Sequence, residues 1–299
     1  MRKGRLRHWL LALFCCASCT PTSKVPPDTL RWAAYYDSKL PARDFLDYDM
    51  VLFDRRYHPP LKPLKGKVIL LAYVSAGEAH GDSPLLEGLR KENAILADNK
   101  QWDSHVMDLT SARWRSAVMD EVDDALKQGF DGVMLDTLDS ALDVAEKKDP
   151  RLGAAAEAAA VQLIKDIRAH HPHMQLMLNR GLKLLPDVSG QLDFILAESI
   201  LAETNVSSGQ SKLFPPNTYR QVARLLQDAR ARSPQLKIMT LDYWDMDDVQ
   251  GMEQLYAIQR AHGFSPYVAT PDLRRLILEP HSRHWIDGRP EPIAMGYGE

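Results

Sequence analysis

From residue 30 onward, short apolar runs alternate with longer amphipathic stretches. The runs are nearly continuous in Val, Ile, Leu, Met and Tyr, which is typical of parallel strands that are covered on both faces. A further run at 105–109 is interpreted as an excursion within a long loop. The pattern predicts eight strands, at residues 31–36, 50–53, 68–75, 131–136, 174–179, 193–198, 237–242 and 266–270.

The stretches between these runs have apolar residues at helical spacing. Thr110 or Ser111 can cap the first of these helices, and Gly129 suits the left-handed residue that follows its end. The predicted helices cover residues 111–128, 154–170, 218–232 and 249–262.

Eight buried strands joined by helical crossovers most simply close into a (β/α)8 barrel of the TIM type. We predict this α/β fold as a single domain at residues 30–279, followed by an irregular tail at 280–299. A doubly wound open sheet is the alternative. It is weakened because no Gly-rich phosphate loop follows any of the strands.

The N-terminal segment predicts export. Four basic side chains precede a short apolar run and small residues, as in a secretory signal peptide, which we assign to residues 1–18. Ala17-Ser18-Cys19 resembles a bacterial lipobox, so Cys19 is a predicted lipidation site and residues 19–29 a tether. We therefore expect a lipoprotein of the cell envelope, in the periplasm or on the outer membrane. A secreted or periplasmic protein without an anchor is the alternative.

Cysteine and charge exclude several functions. All three Cys lie within the first 19 residues, so the mature chain has no thiol for catalysis, a thiolate metal site or an iron–sulfur cluster. The net charge is -3, and removing the four basic side chains before Cys19 leaves 33 basic against 40 acidic residues, or -7. A negative charge argues against nucleic acid as a partner.

Carboxylates follow the apolar runs at several strand ends. In a barrel these ends converge on one mouth, where the chemistry takes place. Asp136 and Glu198 close two different strands, and two carboxyls across a cleft are what glycosidic bond cleavage requires. Asp139 follows one turn after Asp136, where the alternative role is to cap a helix that begins near Ser140. Aromatic faces near strand ends suit sugar stacking, and about half of these rings are expected in the core: Tyr35, Tyr36, Tyr73, Tyr243, Trp102 and Trp244.

A cluster of His170, His171 and His173 lies between a helix end and the start of a strand, at the opposite mouth of the barrel. Favourable charge in the last turn of the helix is the simpler interpretation of this cluster. The motifs of zinc and serine hydrolases do not occur in the sequence. We therefore expect neither a metal nor a cofactor.

Six short motifs occur in an order that resembles a known family. They are Ala72-Tyr-Val-Ser-Ala-Gly-Glu78, Gly129-Phe-Asp-Gly-Val-Met-Leu-Asp136-Thr-Leu-Asp-Ser140, Asn179-Arg-Gly181, Ala197-Glu-Ser199, Leu241-Asp-Tyr243 and Gly263-Phe-Ser-Pro-Tyr-Val268. The chain is similar in these motifs to glycoside hydrolase family 114, the endo-α-1,4-polygalactosaminidases, and the resemblance covers roughly residues 30–276.

The resemblance implies the barrel fold and the hydrolysis of partly de-N-acetylated α-1,4-linked galactosamine exopolysaccharide. It also implies that Asp136 is the nucleophile and Glu198 the acid/base, although the residues alone do not decide between these two roles. The amino-sugar polymer and, through the lipid anchor, a membrane are the expected partners. The cleft-lining positions implied by the resemblance are Glu78, Asp139, Asn179, Arg180 and Asp242.

Two other functions fit the same residues. A non-catalytic polysaccharide-binding lipoprotein could use the same cleft without turnover. A barrel hydrolase that acts on peptidoglycan or another glycan is a third and weaker hypothesis. A panel of substrates distinguishes these from the first.

Overall fold

The structure, a computed structural model, describes residues 29–204, 210–280 and 297. Its core is one sheet of eight parallel strands, close to the predicted runs in position and extent. The strands are β1 (Trp32–Tyr35), β2 (Met50–Asp54), β3 (Ile69–Ser75), β4 (Gly132–Asp136), β5 (Gln175–Asn179), β6 (Phe194–Glu198), β7 (Lys237–Tyr243) and β8 (Ser265–Ala269).

The order of the strands in the sheet is their order along the chain, from β1 to β8. A doubly wound sheet would instead reverse its order at a switch point. The first and last strands meet, since Leu30 N donates to Ser265 Oγ at 2.9 Å and Trp32 Nε1 donates to Ser265 O at 2.8 Å. The sheet is therefore a nearly closed barrel in a single domain, and the predicted fold is confirmed.

Helices cover the outside of the barrel. Ser111 caps α2 (Ala112–Gln128) by accepting from Trp114 N, and Gly129 follows the helix with φ 108°. Asp149 caps α4 (Pro150–His170) and Pro150 fills its first turn, so this helix begins four residues before the predicted start. The α-helices are α1 (Leu86–Lys91), α2 (Ala112–Gln128), α3 (Leu138–Lys148), α4 (Pro150–His170), α5 (Leu185–Val188), α6 (Pro216–Arg232) and α7 (Val249–Ala261).

Two small antiparallel sheets extend the loops at the mouth. The segment between β3 and α2 forms three strands, Glu78–His80, Ile95–Asn99 and Ser104–Met107, with the last in the middle. The run interpreted as a loop excursion thus overlaps a paired strand. After β6, Ala202–Thr204 pairs with Ser211–Leu213.

The predicted signal peptide, Cys19 and most of the tether lie outside the described residues. So does the predicted tail except for Pro280 and Tyr297, and the ring of Tyr297 lies 5.8 Å from that of Tyr219. Within the described part of the chain, no helix combines the length and apolarity needed to cross a lipid bilayer.

Candidate active site

The two predicted catalytic carboxylates lie side by side at the mouth of the barrel. Asp136 ends β4 and Glu198 ends β6, and Asn179 ends the strand between them. Asn179 Nδ2 donates to Asp136 Oδ1 at 2.8 Å and to Glu198 Oε2 at 2.6 Å. Because one nitrogen donates to both oxygens, Asp136 Oδ1 and Glu198 Oε2 are separated by no more than the sum of the two hydrogen-bond distances, 5.4 Å.

The backbone turns sharply after each of these three strands. Thr137, Arg180 and Ser199 directly follow the strand ends and have φ of 66°, 53° and 52°. Non-glycine residues adopt this left-handed region rarely and at a cost, and such residues cluster at functional sites. The turns end the strands abruptly, so that each terminal polar side chain stays at the mouth while the chain departs.

Tyrosines enclose the acid pair. Tyr243 OH donates to Glu198 Oε1 at 2.5 Å, and the rings of Tyr36 and Tyr73 meet edge to face at 5.6 Å. Burial raises the pKa of all three phenols well above the usual value, and the charge of Asp136 raises it further. The charge of Glu198 adds to the rise for Tyr36 and Tyr243, and that of Glu78 adds to it for Tyr73. The phenols therefore remain protonated hydrogen-bond donors over the whole working pH range.

Asp136 holds a proton near neutrality. Burial is the main reason, and the charge of Glu198 adds to it, so that the pKa of Asp136 rises from 3.8 to about 7. The Asn179 amide and a backbone hydrogen bond to Thr137 oppose this rise. Glu198 meanwhile accepts hydrogen bonds from both Asn179 and Tyr243. A carboxyl with a raised pKa thus lies next to a second carboxyl that accepts two hydrogen bonds.

An ion pair lies at the rim of this site. Arg180 Nε donates to Asp139 Oδ2 at 2.7 Å, and the Arg180 side chain is about half exposed. Asp139 lies in the first turn of α3, which begins at Leu138 after Thr137. The alternative role of Asp139 as a helix cap is therefore wrong.

Glu78 is buried rather than open to the cleft, with 5% of its surface exposed. It accepts from Ser140 Oγ at 2.6 Å, from Asn99 Nδ2 at 3.1 Å and from Ser104 Oγ. These donors belong to α3 and to the three-stranded sheet. Glu78 therefore joins that sheet to the helix after β4, and the prediction that it lines the cleft is wrong.

Asp242 is also buried and structural. Its Oδ1 accepts from Leu201 N and Ala202 N, both at 3.0 Å, and its Oδ2 accepts from Gln259 Nε2 at 2.7 Å. Burial raises its pKa, and these hydrogen bonds oppose the rise. Asp242 thus positions the loop that follows Glu198 and does not line the cleft as predicted.

Tyr35 does not reach the cleft either. Its side chain is 1% exposed, packs on Phe45 at 5.3 Å, and its OH accepts from Leu40 N. The next residue, Tyr36, lies near the acid pair instead, because successive residues of a strand point to opposite faces. The sequence contains both tyrosines, but it does not indicate which of them faces the barrel interior.

The predicted residues that the structure brings together at the mouth are Asp136, Glu198, Asn179, Tyr73 and Tyr243, with Asp139 and Arg180 at the rim. Their catalytic and binding roles remain predictions. Tyr36, one of the aromatic residues predicted near the strand ends, lies there as well.

A sequence model of the glycoside hydrolase family GH114 matches residues 16–287 of the chain. Among known proteins, a Deinococcus radiodurans protein of undescribed function is 24% identical over 216 residues. That alignment covers 70% of this chain but only 66%, slightly less than two thirds, of the Deinococcus protein.

Two solved structures are similar in fold. The glycoside hydrolase domain of PelA from Pseudomonas aeruginosa is 27% identical with a TM-score of 0.72, over 82% of this chain and 96% of that domain. Ega3 of Aspergillus fumigatus, solved in complex with galactosamine, is 17% identical with a TM-score of 0.57, over 85% of this chain and 96% of Ega3. The likeness to Ega3 concerns the fold alone.

Proposed function

Because this chain belongs to glycoside hydrolase family GH114 and is a glycoside hydrolase, we propose that it cleaves α-1,4-linked galactosamine and N-acetylgalactosamine exopolysaccharide of the Pel type. The observation that carries the proposal is the acid pair, Asp136 and Glu198, bridged by a single amide of Asn179. Two adjacent carboxyls, one of them with its pKa raised to about 7, are the groups that glycoside hydrolysis needs.

The separation of the pair supports a retaining mechanism. Retaining glycosidases hold their carboxyls about 5–5.5 Å apart, whereas inverting ones leave about 6.5–9.5 Å for a water. The bridged oxygens are at most 5.4 Å apart, which is shorter than the separations typical of inverting enzymes. One carboxylate would attack the anomeric carbon while the other carboxylic acid protonates the leaving oxygen. Water would then hydrolyse the glycosyl ester, with the second carboxyl acting as base.

Two solved relatives and the charge of the chain support the proposed substrate class. One of these relatives is the glycoside hydrolase domain of PelA, and the other, Ega3, was solved in complex with galactosamine. The net negative charge of the chain and the carboxylates at the mouth suit a polymer that carries free amino groups. An ammonium group near Asp136 would also lower the pKa of that carboxyl and favour its ionised, nucleophilic form.

Incubation of the purified protein with partly de-N-acetylated α-1,4-galactosamine polymer tests this function. We expect release of oligosaccharides whose new reducing end is initially the α anomer, observed by NMR within the first minutes. Chitosan and peptidoglycan serve as control polymers, because they share amino sugars or N-acetyl groups but not the α-1,4-galactosaminide bond. Release from a control polymer alone, or an initial β anomer, would contradict the substrate or the retaining mechanism respectively.

The proposal includes export and lipid anchoring through Cys19, motivated by the basic, apolar and small-residue pattern at the start of the sequence. One acyl chain binds a membrane only marginally, so stable anchoring needs more than one. We expect the wild-type protein in the membrane fraction of the producing cell and the Cys19→Ser variant outside it. A Cys16→Ser variant is the matched control. Equal membrane association of all three proteins would contradict lipidation at Cys19.

A further inference from the structure

At the N-terminal end of the barrel, two residues of the histidine cluster, His170 and His171, lie close to the carboxylate of Asp123. His170 ends α4 and His171 follows it, while Asp123 lies on α2. His171 Nε2 donates to Asp123 Oδ1 at 2.7 Å, and the rings of His170 and His171 lie 4.8 Å apart and nearly perpendicular. One nitrogen from each histidine and one oxygen of Asp123 all lie within 4.8 Å of one another.

We propose that Asp123, His170 and His171 form a surface site for a divalent transition-metal ion, with Zn²⁺ as its representative. Two imidazoles and one carboxylate are three of the four ligands of a tetrahedral zinc site, and water can supply the fourth. Imidazole ligands favour zinc, copper and nickel over magnesium or calcium.

The geometry needs only a small adjustment. Ligand atoms about 2.0–2.1 Å from Zn²⁺ in a tetrahedral site lie about 3.3 Å apart. The hydrogen bond between His171 and Asp123 at 2.7 Å would open slightly, and the exposed His170 ring would close the remaining gap by rotation. His171 has left the helical conformation, with φ -124° and ψ 71°, which turns its ring toward α2.

The nearby Arg168 side chain binds other residues and not the carboxylate of Asp123. Arg168, two residues before His170, donates to Gln191 O at 2.8 Å, to Met174 O at 2.7 Å and to Asp193 Oδ2 at 2.6 Å. The positive charge of Arg168 therefore serves the loop before β6, and Asp123 remains paired with His171.

The site is independent of the acid pair and of the proposed substrate. The end of α4 leads into the N-terminal end of β5, whereas Asn179 and its carboxylate partners lie at the C-terminal end of that strand. A bound ion would connect α2 to α4 at the base of the barrel. Such an ion would stabilise the fold, because a ligand that binds only the native state raises its stability. It would leave hydrolysis unchanged, because it lies at the opposite end of the barrel from the acid pair.

Calorimetric titration of the purified full-length protein with Zn²⁺ tests the proposal. We expect one equivalent to bind and thermal unfolding to shift upward. Asp123→Asn keeps the size of the side chain and an acceptor for His171, but it removes the carboxylate ligand. Affinity should fall about tenfold or more in this variant and in His171→Ala, since even residues that only support a ligand are worth about 10–100-fold.

His173→Ala is the matched control, because this exposed histidine lies in the same turn but outside the group. It should bind Zn²⁺ like the wild type. The proposal is overturned if the wild type binds no Zn²⁺, or if Asp123→Asn and His171→Ala retain wild-type affinity. Zinc-free melting temperatures of the variants show whether each one folds.

Discussion

Replacing Glu198 by Gln is expected to lower kcat on galactosamine polymer by about 10²–10⁴-fold, the usual contribution of a positioned acid or base. The variant should remain folded, because Gln keeps the shape of the side chain and its carbonyl oxygen can still accept from Asn179 Nδ2 or Tyr243 OH. The measurement is the initial rate of reducing-end formation, with the melting temperature as a check of folding.

Glu87→Gln is the matched control. Glu87 is exposed on α1, where its carboxylate pairs with Lys91. Its replacement by Gln removes one negative charge, as Glu198→Gln does, but away from the acid pair. Its activity should equal that of the wild type. A Glu198→Gln variant with wild-type activity would remove Glu198 from the mechanism and leave the acid pair without its proposed function.

Alanine variants of both acids separate their roles. In a retaining enzyme, azide can replace the missing nucleophile and yields a glycosyl azide of inverted configuration. Azide that replaces water in an acid/base variant yields the retained configuration instead. An activated aryl α-galactosaminide is the suitable substrate, because it needs little protonation of its leaving group. An inverted product from Asp136→Ala would make Asp136 the nucleophile.

Replacing Asp136 by Asn is expected to abolish activity and yet stabilise the fold at pH 8. The pKa of Asp136 is raised to about 7 because burial and Glu198 disfavour its charge. Between pH 4 and 7 the native state therefore binds more protons than the unfolded state, and stability falls as the pH rises through this range. Each pKa unit is worth about 1.4 kcal/mol, so the rise from 3.8 to about 7 costs at most about 4 kcal/mol of stability at pH 8.

Thermal or denaturant unfolding of wild type and Asp136→Asn at pH 4 and pH 8 measures this difference. The variant should be more stable by at most about 4 kcal/mol at pH 8, and the gap should close toward pH 4, where the wild-type carboxyl is neutral in both states. A gap that stays constant with pH would show that the charge of Asp136 is not the cause.

Asp242→Asn provides a contrast within the same molecule. Asp242 is only 1% exposed, and both of its oxygens accept hydrogen bonds, from two backbone amides and from Gln259. An Asn amide nitrogen would face one of these donors. This variant should therefore be less stable than the wild type at pH 8, since a buried donor without an acceptor costs about 1–3 kcal/mol.

The sequence predicts the barrel well because each strand can be recognised from its own short apolar run. Runs that are apolar on both faces, such as the one ending at Asp136, need no knowledge of their neighbours to be recognised. The mouth could be predicted for the same reason, since strand ends of a parallel barrel converge by topology. Asp136, Asn179 and Glu198 follow directly from that rule.

The sequence does not reveal which way a side chain points, or which residues far apart in the chain contact each other. Tyr35 and Tyr36 are chemically alike, and a one-residue difference decides which enters the core. Glu78 has partners 21, 26 and 62 residues away, all of them neutral. Short strands such as Ser104–Met107 depend on partners of this kind, so their pairing is fixed by the tertiary fold and not by their own pattern.

The amide at position 179 has a stereochemical consequence. Both of its hydrogens are shared out between the two acids, so the gap between them has the width of a single NH₂ group. Under the proposed retaining mechanism, a longer amide at this place would be expected to separate the acids and admit a water between them, which would reverse the configuration of the product. Asn179 would then set the handedness of the product through the spacing of the two acids.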